Sequence, residues 1–142
     1  MELSLIKRAL KHDDELFVQL IMSKKEKLIR IAYKYTLNDA IVEDVLSETI
    51  YQAYKNRKQC KQPEYFDTWL IRILINNCLK EIKQQSKNYE LMIDIEDTKI
   101  QDIPLKTLVY SLSEPERTIL VLYFFENATF KEISEVLNMP ES

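Results

Sequence analysis

The chain has 142 residues, 46% of them hydrophobic and 30% charged, which is enough apolar material for a packed core and excludes a disordered chain. Glycine is absent and there are only four prolines, so the usual materials of hairpin turns are missing and an all-α fold is expected. The net charge of −3 is unevenly spread: through Glu90 there are 16 basic against 13 acidic side chains, and from Leu91 onward 4 against 10. The first part is suited to face nucleic acid and the tail is not.

Cys60 and Cys78 lie too far apart for a CxxC pair, and His12 is the single histidine, so neither a metal site nor a cofactor is expected. There is no glycine loop to cradle a phosphate, no HExxH, and no nucleophile with a base beside it, so no catalytic residue is assigned and the chain is not read as an enzyme. The opening MELSLIKRALKHDDE lacks the apolar run of a signal peptide, and no stretch approaches the roughly 20 apolar residues of a membrane span. A cytoplasmic protein with free thiols and no membrane insertion is the expectation.

In chain order, a short helix is predicted over 3–10, and Asp13 is placed to cap a longer one carrying Leu16, Leu20, Leu28, Ile31, Ala32 and Tyr35 at helical spacing. Asn38 and Asp39 mark a break. The next helix, over 40–55, has one apolar and one acidic stripe. NRKQCKQPEY at 56–65 reads as a basic surface loop. A strongly apolar helix over 65–85 follows, with Trp69, Leu70, Ile73, Leu74, Cys78 and Ile82 recurring every three or four residues and Arg72, Asn76, Lys80 and Lys83 on another side. Acids then cluster over 86–102, read as a linker, and Pro104 precedes a short apolar helix. SEPE at 113–116 and TFKE at 129–132 are capping-box signatures opening two more helices, the first carrying the apolar run Ile119 to Phe125 and the second closed by Asn138 and Pro140. Two helices joined by a tight polar turn begin a helix-turn-helix unit.

Three segments, in order, resemble the sigma factors of RNA polymerase, in particular the small extracytoplasmic-function type of the sigma-70 family. LIRIAYKYTLNDAIVEDVLSETIYQAYKN (28–56) resembles the core of region two, FDTWLIRILINN (66–77) its promoter-melting helix, and LSEPERTILVLYFFENATFKEISEVLNMPES (112–142) the first part of region four. Their joint occurrence is far more specific than the helix-turn-helix part alone. Ser47 stands where the family commonly has glutamine and Lys80 where it commonly has an acid.

The resemblance implies two small helical domains, region two over 1–87 and an incomplete region four over 104–142, joined by the linker 88–103. It implies a transcription initiation factor that binds core RNA polymerase and recognises and melts the minus-ten element of promoter DNA. Glu43, Asp44 and Glu48 would form the acidic face that docks on polymerase, with Val45 and Leu46 supplying apolar contact. Phosphates would be held by Lys58, Lys61, Arg72, Lys80 and Lys83, and an extruded base of the non-template strand by Tyr65, Phe66, Asn76 and Asn77 around the 58–65 loop. Trp69, in register with Leu70, Ile73 and Ile82, is assigned to the core.

The chain stops before the basic helix that would read the minus-thirty-five element. Without that helix Tyr123, Phe124, Phe125, Ile133, Val136 and Leu137 are expected to lack a packing partner. An anti-sigma protein is the further partner the family implies. A second reading of the same surface is a helical interaction module that binds an anti-sigma or other regulator without specific DNA binding. A one-domain helix-turn-helix regulator is disfavoured, because matching segments lie on both sides of the acidic linker.

Overall fold

The computed structural model describes residues 1–92 and 111–138, with side chains over 1–84 and 111–138. The helix expected after Pro104 and the acids Asp94 to Asp102 lie outside the described residues. Within them the architecture is all-α. Helix α1 spans Leu3–Lys11, α2 Asp14–Thr36 and α3 Asp39–Lys55. Two 3₁₀ turns, Arg57–Gln59 and Pro63–Tyr65, lead into α4, Phe66–Met92. Helix α5 covers Glu114–Ile119, widens into a π-helical segment over Leu120–Phe125, and is followed by α6, Phe130–Leu137.

Local chemistry sets these boundaries. Asp13 Oδ1 accepts from the Leu16 amide at 3.1 Å, and that hydrogen bond is the largest of the effects holding its carboxyl below the usual range. Asn38 caps α3 through the Ala40 amide at 3.0 Å. Ser113 with Glu116 and Thr129 with Glu132 close both capping boxes reciprocally. With no glycine available, the left-handed positions that end helices or turn the chain fall to Leu37, Asn127 and Asn138. Asparagine tolerates that conformation, and at Leu37 the packing around it must hold it there.

The sequence pattern for α4 fades at Gln85, yet the helix continues to Met92, seven residues into the stretch read as linker. Once nucleated, a helix of Lys, Gln, Ser and Glu extends without needing an apolar face.

The core is common to both halves of the chain. Phe17, Leu20, Leu28, Ile31, Val45, Phe66, Leu70, Leu74 and Ile75 from the first four helices form one cluster with Val121, Leu122, Ile133 and Val136. Ile133, Val136 and Leu137, expected to lack a packing partner, have one: the first two are 5% and 2% exposed, Leu137 packs partly buried against the core, and α6 packs against α4. Tyr123, Phe124 and Phe125 do remain exposed. The π-helical turn, closed by the Ala128 amide on the Leu122 carbonyl at 2.9 Å, divides the run, turning Val121 and Leu122 inward and the three aromatics outward.

Polar groups stitch the same seam. Tyr35 Oη and Thr118 Oγ1, both buried, share a hydrogen bond of 3.0 Å, and the Arg117 guanidinium lies 5.4 Å from the Tyr35 ring centre. Arg72 pairs with Glu114 at 2.8 Å and Arg30 with Glu126 at 3.1 Å. These pairs are solvent-screened and contribute little to stability, so the apolar contact carries the packing.

Burial at this seam has a pH signature. Loss of hydration pushes the Cys78 thiol from 9.0 up to about 12 and, opposed by the Thr118 hydrogen bond, the Tyr35 phenol from 10.0 up to about 12. The folded state therefore holds protons that the unfolded chain releases, so stability is fully present below pH 9 and falls as pH rises from 9 towards 12. Denaturant titrations should show that decline, and Tyr35→Phe should flatten its upper part, above pH 10; equal slopes in the two proteins would rule out the phenol as a source.

Candidate polymerase and nucleic-acid interface

On α3 the acidic side chains Glu43, Asp44 and Glu48 are all exposed. Val45 and Leu46, expected to add apolar contact for a partner, are 1% and 9% exposed. Lying on the core stripe of the helix, they are consumed by the chain's own packing, and the outward face is acidic and polar. A groove of about 400 Å³ runs between α3 and α4, lined by Asp44, Val45, Ser47, Glu48, Asn77, Lys80 and Glu81. Lys80, read as a phosphate contact, thus stands among three carboxylates. Glu81 was missed, although it follows Asn77 by one helical turn and that spacing was available in the sequence.

The two adjacent asparagines separate. Asn76 is exposed. Asn77 is 5% exposed, and its amide donates to Thr49 Oγ1 at 3.0 Å and Gln52 Oε1 at 3.2 Å. Thr49 in turn donates to the Val45 carbonyl at 2.7 Å, and the Gln52 amide donates to Glu48 at 2.8 Å. Asn77 thereby ties α4 to α3 and helps orient an acid of the outward face, which leaves its amide nitrogen spent inside the protein.

The two aromatics at the start of α4 separate as well. Phe66 is 1% exposed, with its ring centre 6.0 Å from that of Trp69. Tyr65, at the end of the second 3₁₀ turn, is 43% exposed. Trp69 packs half-buried against the core. Lys58, Lys61 and Lys83 are exposed, whereas Arg72 is engaged by Glu114. Of the side chains expected to face nucleic acid, Lys58, Lys61 and Tyr65 are exposed on the 57–65 turn, and Asn76, Lys80 and Lys83 are exposed on α4.

The turn is itself anchored by a residue the sequence reading passed over. Arg57 is ion-paired to Asp14 at 2.8 Å, and its guanidinium lies 4.6 Å from the Tyr54 ring centre and 5.7 Å from that of Phe17. Its partners lie on α2 and α3, so no local pattern in the sequence marks it. Lys24 on α2 similarly pairs with Asp67 of α4 at 2.9 Å. Among the described residues no helix is long and apolar enough to cross a membrane.

Residues 20–88 match Sigma-70 region 2, and residues 109–142 match Sigma-70 region 4. The chain belongs to the sigma-70 family of RNA polymerase sigma factors, of the extracytoplasmic-function type, and its role is that of a transcription initiation factor. It is similar to the ECF RNA polymerase sigma factor SigW of Bacillus subtilis, 25% identical with 95% of this chain and 84% of the relative covered. RNA polymerase sigma factor SigV of the same organism is also 25% identical, over 85% of this chain and 77% of the relative. In fold it resembles CnrH, solved in complex with the cytosolic domain of CnrY, with a TM-score of 0.72 and 20% identity over 98% of this chain and 84% of that one.

Proposed function

We propose that this chain docks on core RNA polymerase in the cytoplasm through Glu43, Asp44 and Glu48, and captures an unpaired base of the non-template minus-ten strand at the 57–65 turn. It does so without catalysis of its own. The observation that carries the reading is the exposed Tyr65, at the end of a 3₁₀ turn directly before the buried Phe66, with Lys58 and Lys61 exposed on the same segment. An aromatic face fixed to a scaffold and flanked by cations is what a single strand needs for stacking and phosphate neutralisation. Asn76 and Lys83, outward on α4, extend the same surface. In this reading Phe66 and Asn77 act by positioning, Arg72 becomes available to DNA only where Glu114 releases it, and the exposed Lys80 stands beside the acids of the groove. The division of the chain into 1–87 and 104–142 is retained as a functional one, region two contacting strand and polymerase.

The test mixes the chain with core polymerase and a fluorescent single-stranded minus-ten oligonucleotide. Tyr65→Ala should weaken oligonucleotide binding by about tenfold or more, consistent with one lost stacking contact, and leave polymerase binding intact. Asp44→Lys with Glu48→Lys should do the reverse. Unchanged polymerase binding in the charge-reversed protein would sink the docking assignment.

An anti-sigma protein is a further partner in this proposal. CnrH, the protein of similar fold, is solved with CnrY bound. Here Phe124, Phe125 and Phe130 are 66%, 50% and 60% exposed, which supports a protein ligand for that face.

A further inference from the structure

Helix α1 lies before residue 20, where the match to Sigma-70 region 2 begins. It packs against both 3₁₀ turns of the 57–65 segment, and between them lies a cavity of about 260 Å³ lined by Lys7, Leu10, Lys11, Lys58, Cys60, Lys61 and Pro63. We propose that α1 and this turn together form a phosphate site for the backbone of the single strand whose base is held at Tyr65. The inference rests on the function proposed above and extends it to residues outside the family match.

Charge is the first argument. Lys7 and Lys11 are one helical turn apart and so share a face of α1, and Lys58 and Lys61 face them from the turn. All four are exposed, and none pairs with a carboxylate among the described residues. Neighbouring cations are neutralised instead, Arg8 by Asp13 at 3.0 Å and Arg57 by Asp14 at 2.8 Å. Glu64, the one carboxylate whose charge acts on the Cys60 thiol, raises it further after burial has already done so, but does not line the cavity. Four ammonium groups around one opening repel each other, and an anion between them relieves that repulsion.

The second argument is the shape and floor of the cavity. Leu10 and Cys60 are 4% and 8% exposed, so with Pro63 they make an apolar base that holds water away from one side of a bound group and strengthens its attraction to the lysines. The volume exceeds that of a single phosphate, leaving room for the attached sugar. The second turn runs from Pro63, a lining residue, directly to Tyr65, which places the cavity one short step along the chain from the exposed ring.

The test uses the full chain bound to core polymerase and a labelled single-stranded minus-ten oligonucleotide, with affinity read against salt. Lys7→Gln with Lys11→Gln should weaken binding by about tenfold and reduce the magnitude of the salt slope by about 0.7, one phosphate contact of a single strand. Lys7→Arg with Lys11→Arg should restore both. A control removing two lysines elsewhere, Lys25→Gln with Lys131→Gln, should change little. Equal affinity and slope in the α1 variant, or an equal loss in the control, would overturn the site. Inorganic pyrophosphate distinguishes a free anion from a strand: tight binding of it to the wild-type chain, with oligonucleotide affinity indifferent to the α1 lysines, would overturn the strand assignment. If Tyr65→Ala weakens binding and the α1 variant does not, only this inference falls. If the wild type binds neither polymerase nor oligonucleotide, the proposed function falls with it.

Discussion

Phe66→Ala should lower the unfolding free energy by about 3–5 kcal/mol, whereas Tyr65→Ala, one residue earlier, should change it by no more than about 0.5 kcal/mol. Phe66 is 1% exposed, with its ring beside that of Trp69, so truncation removes a large apolar side chain and leaves a cavity that the surrounding core can only partly fill. Tyr65 is 43% exposed, so its truncation removes little buried surface. The same pair should invert in function. Tyr65→Ala should lose about 1–3 kcal/mol of single-strand binding, while Phe66→Ala, measured at a temperature where it is folded, should retain most of it. Chemical denaturation followed by circular dichroism checks the first half and oligonucleotide titration the second. Equal stability losses in the two variants would show that the turn is not divided into a core side and a binding side.

The second large effect concerns the seam between the two segments. Leu122→Ala should cost about 2–5 kcal/mol, because Leu122 is 2% exposed in the core that the π-helical segment shares with α2 and α4. Trp69 is the single tryptophan and sits on α4 beside Thr68, which donates to Glu135 of α6 at 3.3 Å. Its fluorescence therefore reports on the region-two side of the seam. With one shared core, the Trp69-detected midpoint should move with Leu122→Ala in a single cooperative transition. A midpoint unmoved by the substitution would mean that the first four helices hold their own stability and that the second segment is docked on them only weakly.

The candidate site was legible in part. The acids of α3 and the lysines of the 57–65 turn announce themselves by residue type, and they stand outward as expected. What misled was the reading of adjacent residues as equivalent. Phe66 and Asn77 are chemically suitable for a base, yet α4 turns each of them inward, where Phe66 fills the core and Asn77 satisfies Thr49 and Gln52. A rotation of about 100° per residue separates them from Tyr65 and Asn76, and the apolar stripe of α4 is broad enough for its edges to be ambiguous in sequence. Lys7, Lys11 and Arg57 escaped notice because their surroundings come from elements far apart in the chain.

By itself the sequence determined the all-α class, the helix starts at Asp13, Ser113 and Thr129, the break at Asn38, and the ordered segments of a sigma-70 family member. These depend on interactions within a few residues, such as a capping oxygen, a missing glycine or a three-to-four residue apolar period, and each is written in local order. Only the tertiary structure decided that Val121, Leu122, Ile133 and Val136 complete the core of the first four helices, and that Arg72 and Lys80 face carboxylates. It alone brought α1 against the basic turn to enclose the lysine-lined cavity. Burial of an apolar side chain is favourable against any apolar partner, so the pattern states that a face must be covered without stating by what, and the choice among partners is made by how all the helices pack at once.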